Sequence, residues 1–173
     1  MASETQIDQY RVFGNPIHHS KSPNIHKAFA QATKQHINYQ AELVAEDEFE
    51  HRVKEFFADG GKGLNITVPF KQRAFAMAQV LSPAAKKAAA ANTLYLNNQG
   101  QLVADNTDGM GLVRDISYNL SGELKAKRIL VLGAGGAVRG VLQPILAQLP
   151  AQVIIANRTY SKACDLAALF TGL

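Results

Sequence analysis

Leu130-Val131-Leu132-Gly133-Ala134-Gly135-Gly136-Ala137-Val138-Arg139-Gly140 is the stretch that decides the fold. The apolar run from Ile129 to Leu132 predicts a buried strand, and it passes straight into a glycine turn. Apolar residues then recur at helical spacing, at Val138, Leu142, Ile145, Leu146 and Leu149. Gly133 and Gly135 supply the G-x-G of a dinucleotide fingerprint. The first permits a tight turn, and the second lets backbone approach a pyrophosphate at a helix N-terminus. Ala134, Gly136 and Ala137 complete the small-residue turn, while the third fingerprint position, usually Gly or Ala, is Val138. A second apolar strand, Val153 to Ala156, arrives where a βαβ unit requires one.

The end of that second strand bears on which dinucleotide would bind. An acidic residue there serves the ribose 2′-hydroxyl of NAD, whereas Arg accommodates the 2′-phosphate of NADP. Here the strand ends in Asn157-Arg158-Thr159, with Lys162 one helical turn on and no carboxylate before Asp165. A guanidinium holds phosphate in bidentate fashion, and a threonine hydroxyl adds a donor. The plain alternative is a solvated Arg at a strand end. The glycine turn upstream tips the reading toward NADP.

Composition bounds the remaining possibilities. A chain of 173 residues has room for one ordinary domain or two small ones. With 47% hydrophobic and 18% charged residues, it suits an α/β protein with a genuine core. Its net charge of +4 comes without a dense Lys/Arg run, which fits small anionic ligands rather than nucleic acid. No stretch approaches the roughly 20 apolar residues of a membrane span, and no secretory signal opens the chain. The single cysteine, Cys164, excludes an intrachain disulfide. Among Ala163, Leu166, Ala167 and Phe170 it reads as a buried, inert thiol. A cytoplasmic location is expected.

Upstream, strand signals alternate with helix signals. Tyr10 to Phe13 predicts a strand leading into a Gly14-Asn15-Pro16 turn. Ser22-Pro23 reads as a serine cap with proline at the first helical position, opening a helix through Ile25, Phe29 and Ala32. Tyr39 to Val44 is a second strand, and Asp47 to Ala58 a helix with Phe49, Val53, Phe56 and Phe57 inward. Gly63 to Val68 is a third strand, followed by a helix from about Lys71. Leu81 to Ala91 is alanine-rich and reads as helix. Thr93 to Leu96 and Gln101 to Ala104 form a hairpin turned at Asn97-Asn98-Gln99-Gly100. Asp108 to Leu120 is a connecting helix. The expected fold is α/β in two lobes: an open α/β substrate domain over 1–108, then the first part of a Rossmann-type nucleotide domain over 109–173, each with a mainly parallel sheet.

The polar residues of the first lobe form a pattern. Ser20 and Ser22 place two hydroxyls at a turn where helix amides are free. Asn65 and Thr67 lie two apart on one strand and so share a face. Lys71 follows just beyond the strand's carboxyl end, the edge where open α/β sheets bind ligands. Asn92 and Asn106-Thr107-Asp108-Gly109 complete the set at the lobe junction. Hydroxyls and amides beside one Lys and one Asp suit a small polyhydroxylated acid. Taken singly, each has a plainer role as cap, turn former or solvated charge. His18, His19 and His26 lack a nearby carboxylate or Cys to complete a metal set, so no metal is expected.

These runs together resemble the shikimate dehydrogenase family. The matching stretches are Gly14 to Pro23, Asn65 to Lys71, Asn92-Thr93-Leu94, Asn106 to Leu112, Gly133 to Gly140 and Asn157-Arg158-Thr159, in order along nearly the whole chain. The resemblance implies NADP-dependent interconversion of 3-dehydroshikimate and shikimate, on the route to chorismate and aromatic amino acids. By the family pattern Ser20 and Ser22 hold the substrate carboxylate. Thr67, Lys71, Asn92 and Asp108 surround its hydroxyls, Asn65 stands with them, and Lys71 with Asp108 forms the catalytic pair.

Two departures from that pattern stand out. Where the family usually has Gly-Ala before a small residue and Asn-Thr, this chain has Ala89-Ala90-Ala91-Asn92. Members also run longer than 173 residues, so the chain reads as an N-terminal part of such an enzyme, a monomer or homodimer, with an apolar strand edge left uncovered. A non-catalytic shikimate-binding fragment and an NAD-using quinate/shikimate dehydrogenase are the alternatives. Arg158 speaks against the second.

Overall fold

A computed structural model of the chain describes residues 7–170. Its elements are β1 (Asp8–Gly14), α1 (Ser22–Thr33), β2 (Ile37–Leu43), α2 (Phe49–Ala58), β3 (Gly63–Ile66), α3 (Lys71–Met77), β4 (Val80–Leu81), α4 (Pro83–Ala88), β5 (Thr93–Leu96), β6 (Leu102–Asp105), α5 (Asp108–Arg114), β7 (Arg128–Leu132), α6 (Gly136–Leu146), β8 (Gln152–Ala156) and α7 (Tyr160–Ala168). The first six strands form one sheet in the order β2-β1-β3-β5-β6-β4, and β7 pairs with β8 in a second. The fold is α/β with two sheets, as the alternating pattern implies.

The larger sheet is mainly parallel, as expected, with β5 as its one antiparallel strand. β1 runs parallel to β2 and β3, and β4 parallel to β6, but β5 is antiparallel to both β3 and β6. The connection between β5 and β6 is too short for a parallel crossover, which needs a dozen residues or more. Its turn is held by the Asn97 carboxamide, whose oxygen accepts from the amides of Gln99 and Gln101, and by Gly100 at a φ of +74°.

One core fills the space between this sheet and α2–α3. Phe13, Phe49, Leu64, Ile66, Phe70 and Leu94 are fully buried within it. Phe49 and Phe70 stack with centroids 4.5 Å apart, and the Arg73 guanidinium lies over both rings while pairing with Glu50. Truncating such a phenylalanine costs about 3–5 kcal/mol. Because Phe70 immediately precedes Lys71, this packing also fixes where α3 begins.

Several local expectations are corrected. Ser22 does not cap α1; it is the first helical residue, and the hydroxyl of Ser20 accepts its N–H at 3.3 Å. That frees the Ser22 hydroxyl for another partner. α1 buries no residue fully, and Phe29 stays exposed because the helix only flanks the sheet. Leu81 lies in the short strand β4, and α4 stops at Ala88, with Ala89 in the left-handed region at a φ of 47°. The connecting helix is regular only through Arg114 and then widens into a π-turn over Asp115–Asn119. Cys164 is exposed rather than buried: α7 turns Ala163 and Leu166 inward, and the thiol meets the Tyr160 hydroxyl.

In the second sheet β7 and β8 run parallel in the register Leu132↔Ala156, with α6 sealing Leu142 and Ile145. Leu130, Leu132 and Ile154, on the other face, are exposed. Among the described residues no helix is long and apolar enough to cross a membrane.

Candidate active site

Lys71 and Asp108 come from separate elements and meet at their ends. Lys71 opens α3 and Asp108 opens α5, and the ammonium donates to Asp108 Oδ2 at 2.5 Å. The Asn92 amide donates to the other carboxylate oxygen at 2.8 Å and to the Thr107 hydroxyl at 3.0 Å. The backbone ties the same pieces together. Ala91 N–H donates to the Lys71 carbonyl at 2.8 Å, and Thr107 N–H to Asn92 Oδ1 at 3.1 Å. The Lys71 side chain is only 13% exposed. An ammonium paired with a carboxylate in a partly dry site can hold or release a proton and stabilise a developing oxyanion.

A chain of contacts runs from this pair back to the serine turn. Asn65 donates to the Asn92 carbonyl at 3.4 Å and accepts from the Tyr39 hydroxyl at 2.6 Å. Tyr39 also hydrogen-bonds with Ser22, and its ring lies flat on His26 at 4.0 Å. Burial pushes the Tyr39 phenol up to about 12, opposed by the Ser22 bond, so it remains protonated and able to donate. Burial also lowers the His26 imidazole below its ordinary value, leaving a neutral ring against the phenol. Tyr39 and His26 therefore join this cluster of contacts, and the sequence reading did not place Tyr39 there. A β-strand aromatic carries no local signal of which residue of another element its hydroxyl will reach.

Thr67 lies just past the end of β3, its amide donating to the Phe13 carbonyl at 3.0 Å. It shares the Asn65 side of the strand, opposite the buried Leu64 and Ile66. Gly14 leaves room for it: a Cβ there would stand 2.5 Å from Thr67 Cγ2. Ser20 joins the cluster only through the Ser22 amide. His18 and His19 meet edge-on at 5.2 Å. Among the described residues no group of three or more His, Cys, Asp or Glu side chains is placed to hold a metal ion.

A cleft of about 210 Å³ joins this cluster to the second sheet. Val68, Pro69, Lys71 and Gln72 line one side, and Gly136 and Ala137 the other. Gly136 begins α6, close enough that a Cβ there would be 3.7 Å from Lys71 Cβ. Gly133 adopts a φ of +111°, which permits the turn, and nothing lies within 4 Å of where a Gly135 Cβ would stand. The first amides of α6 have no intrahelical acceptor, so this terminus favours an anion. The parallel register sets the glycine turn beside the end of β8, with Gly133 N–H donating to the Ala156 carbonyl at 2.7 Å. There Asn157 closes a turn onto the Thr159 carbonyl at 2.8 Å, and Arg158, Thr159 and Lys162 are exposed.

Known proteins share this sequence and fold. The family model for the shikimate dehydrogenase substrate binding domain matches residues 12–94, and that for shikimate / quinate 5-dehydrogenase matches residues 115–173. Shikimate dehydrogenase (NADP(+)) of Cellvibrio japonicus is 56% identical over 166 residues, covering 96% of this chain and 60% of the relative. Among solved structures, an Ael1 enzyme from Pseudomonas putida superposes with a TM-score of 0.87 at 50% identity, over 94% of this chain and 60% of that one. Shikimate 5-dehydrogenase from Thermus thermophilus, in complex with NADP(H) and shikimate, gives 0.84 at 32% identity, over 95% and 61%. The chain thus spans about 60% of the length of the curated relatives it matches. With both family models matched in order and identity above half across nearly all its residues, the chain belongs to the shikimate dehydrogenase family.

Proposed function

We propose that this chain carries the substrate site and acid–base pair of an NADP-dependent shikimate dehydrogenase, reversibly reducing 3-dehydroshikimate to shikimate. The observation that carries the reading is the Lys71–Asp108 pair at 2.5 Å, opening on a cleft whose far wall is the start of α6. In this reading residues 1–108 form the substrate lobe and 109–173 the nucleotide lobe. Ser20 and Ser22 bind the carboxylate, and Asn65, Thr67 and Asn92 bind the ring hydroxyls.

NADP, when bound, supplies or accepts the hydride. The residues present fit that group. Gly133, Ala134, Gly135, Gly136 and Ala137 make an open anion-favouring terminus, and at the adjoining strand end half-buried Asn157 is followed by exposed Arg158, Thr159 and Lys162 for a 2′-phosphate. The protein's own part is proton management. As the ketone is reduced, Lys71 donates to the developing alkoxide, and Asp108 holds the ammonium in place with one oxygen while Asn92 occupies the other. In the reverse direction the same pair accepts the hydroxyl proton. The ligands are small molecules, and the reading carries a cytoplasmic location with no nucleic-acid or membrane partner, as monomer or homodimer.

Nicotinamide absorbance with this chain, shikimate and either NADP⁺ or NAD⁺ tests the proposal. Reduction of NADP⁺ well above NAD⁺ is expected. Lys71→Ala should lower kcat by about 10²–10⁴, the usual worth of a positioned acid–base group, with a smaller change in KM. Preference for NAD⁺, or near-normal kcat in Lys71→Ala, overturns it. Shikimate binding without turnover leaves a binding lobe only.

A further inference from the structure

Asn106 is the one polar side chain buried among the described residues, at 4% exposure. Its carboxamide is used on both ends. Nδ2 donates to the Ala90 carbonyl at 3.0 Å, in the loop that carries Asn92, and Oδ1 accepts the N–H of Asp108 at 3.2 Å. Donating to a carbonyl while accepting from an amide uses both halves of the carboxamide; a carboxylate of the same shape would lack the donor.

The opposite side of Asn106 faces the second lobe. Gly140 of α6 packs so closely that a Cβ there would stand 2.8 and 2.9 Å from the two carboxamide atoms. Gly109, one residue past Asp108, approaches equally closely: its Cβ would meet the Gly140 carbonyl at 2.4 Å and Pro144 Cγ at 2.5 Å. An asparagine that merely tied two loops of one lobe would not require glycines on two facing helices. The sequence places Gly140 two residues past the fingerprint position that holds Val138, so the close approach here is between lobes.

We propose that Asn106, seated against Gly140, is a positioning residue that sets the Lys71–Asp108–Asn92 cluster at a defined distance from α6, and so couples substrate binding to nucleotide binding. The inference rests on the proposed function for the identity of the two ligands. Any displacement of α6 by a bound nucleotide is passed through Gly140 to the carboxamide, and from there to the Asp108 amide and the Ala90 loop.

The test is calorimetric and uses the whole chain. Shikimate Kd is measured with and without saturating NADP⁺, and NADP⁺ Kd with and without shikimate; linkage requires the two ratios to agree. Gly140→Ala crowds the joint while keeping every hydrogen-bonding group and improving helix propensity. Asn106→Ser tests from the opposite direction, removing the contact, so a folding failure of one variant leaves the other decisive. Gly111→Ala on α5 is the control, because nothing lies within 4 Å of its Cβ position. The expected result is a coupling ratio of at least threefold in the parent and in Gly111→Ala, falling to near one in both joint variants. A ratio of one in the parent, or an unchanged ratio in Gly140→Ala, overturns the joint and leaves the dehydrogenase reading standing. Coupled binding without turnover that is lost in both joint variants refutes catalysis and supports the joint, and absence of binding by either ligand overturns both.

Discussion

Replacing Asp108 by Asn should destabilise the free protein more than replacing Lys71 by Met, although both break the same ion pair. Asp108 satisfies two donors at once, the Lys71 ammonium at 2.5 Å and the Asn92 amide at 2.8 Å. An asparagine amide has one acceptor oxygen and one NH₂ group, so one of the two donors must then face another donor. A neutral hydrogen bond nets about 1 kcal/mol and one to a charged group about 1.5–3, so the oxygen turns to Lys71 and the Asn92 bond is lost. The lysine also loses its counter-charge in a side chain only 13% exposed. Exposed pairs are worth about 0–1 kcal/mol, whereas orphaning one partner of a buried pair costs about 3–5. The intermediate exposure of this pair puts Asp108→Asn at about 2–3 kcal/mol. For a chain of this size that is a fall in Tm of about 5–10 °C.

Lys71→Met leaves a carboxylate that keeps Asn92. At 26% exposure that carboxylate admits water to the vacated oxygen, so the cost is nearer 1 kcal/mol. Urea unfolding of both single variants and the double variant, analysed as a cycle, measures the difference directly. A larger cost for Lys71→Met, or a coupling energy of zero, refutes the reasoning from donor count and exposure.

Three further expectations follow from single contacts. Gly14→Ala places a methyl 2.5 Å from Thr67 Cγ2 and 2.9 Å from Ile17 Cδ1; it should cost about 1–3 kcal/mol and weaken calorimetric shikimate affinity severalfold, and unchanged affinity would show that Thr67 does not touch the ligand. Ala89→Gly should stabilise the chain by up to about 1 kcal/mol, because a left-handed φ costs a non-glycine residue about 1–2 kcal/mol against glycine's smaller entropic penalty; a lower Tm would contradict this. Burial lowers the His26 pKa from 6.5, so below that pH the unfolded chain binds the extra proton and stability falls as pH drops. His26→Phe keeps the ring on Tyr39 but not the titration, so its Tm relative to the parent should rise from pH 7 to pH 5, and a constant difference would refute the assignment.

What the sequence determined by itself is local. The strand, glycine turn and helix from Ile129 to Leu146 are written in consecutive residues, because strand and helix periodicity and the φ demands of a tight turn act over a few positions; Leu149, at helical spacing in the sequence, lies past the helix end at a φ of 55°. The Asn97–Gly100 turn is legible for the same reason. Lys71 was legible as a candidate from its place just beyond the carboxyl end of β3, and Asp108 from its place in the polar run at the lobe junction.

Tertiary structure alone decided which side chains meet. Nothing near Tyr39 in the sequence indicates that its hydroxyl reaches Asn65 and Ser22, since that depends on β2, β1 and β3 lying side by side. Cys164 turned outward because only one face of α7 finds a neighbour to pack on. Gly140 follows an imperfect fingerprint in the sequence, and its reason is visible only where α6 presses on Asn106. Contacts between distant segments are fixed by the packing of whole elements, and a local pattern carries no record of what will lie opposite it.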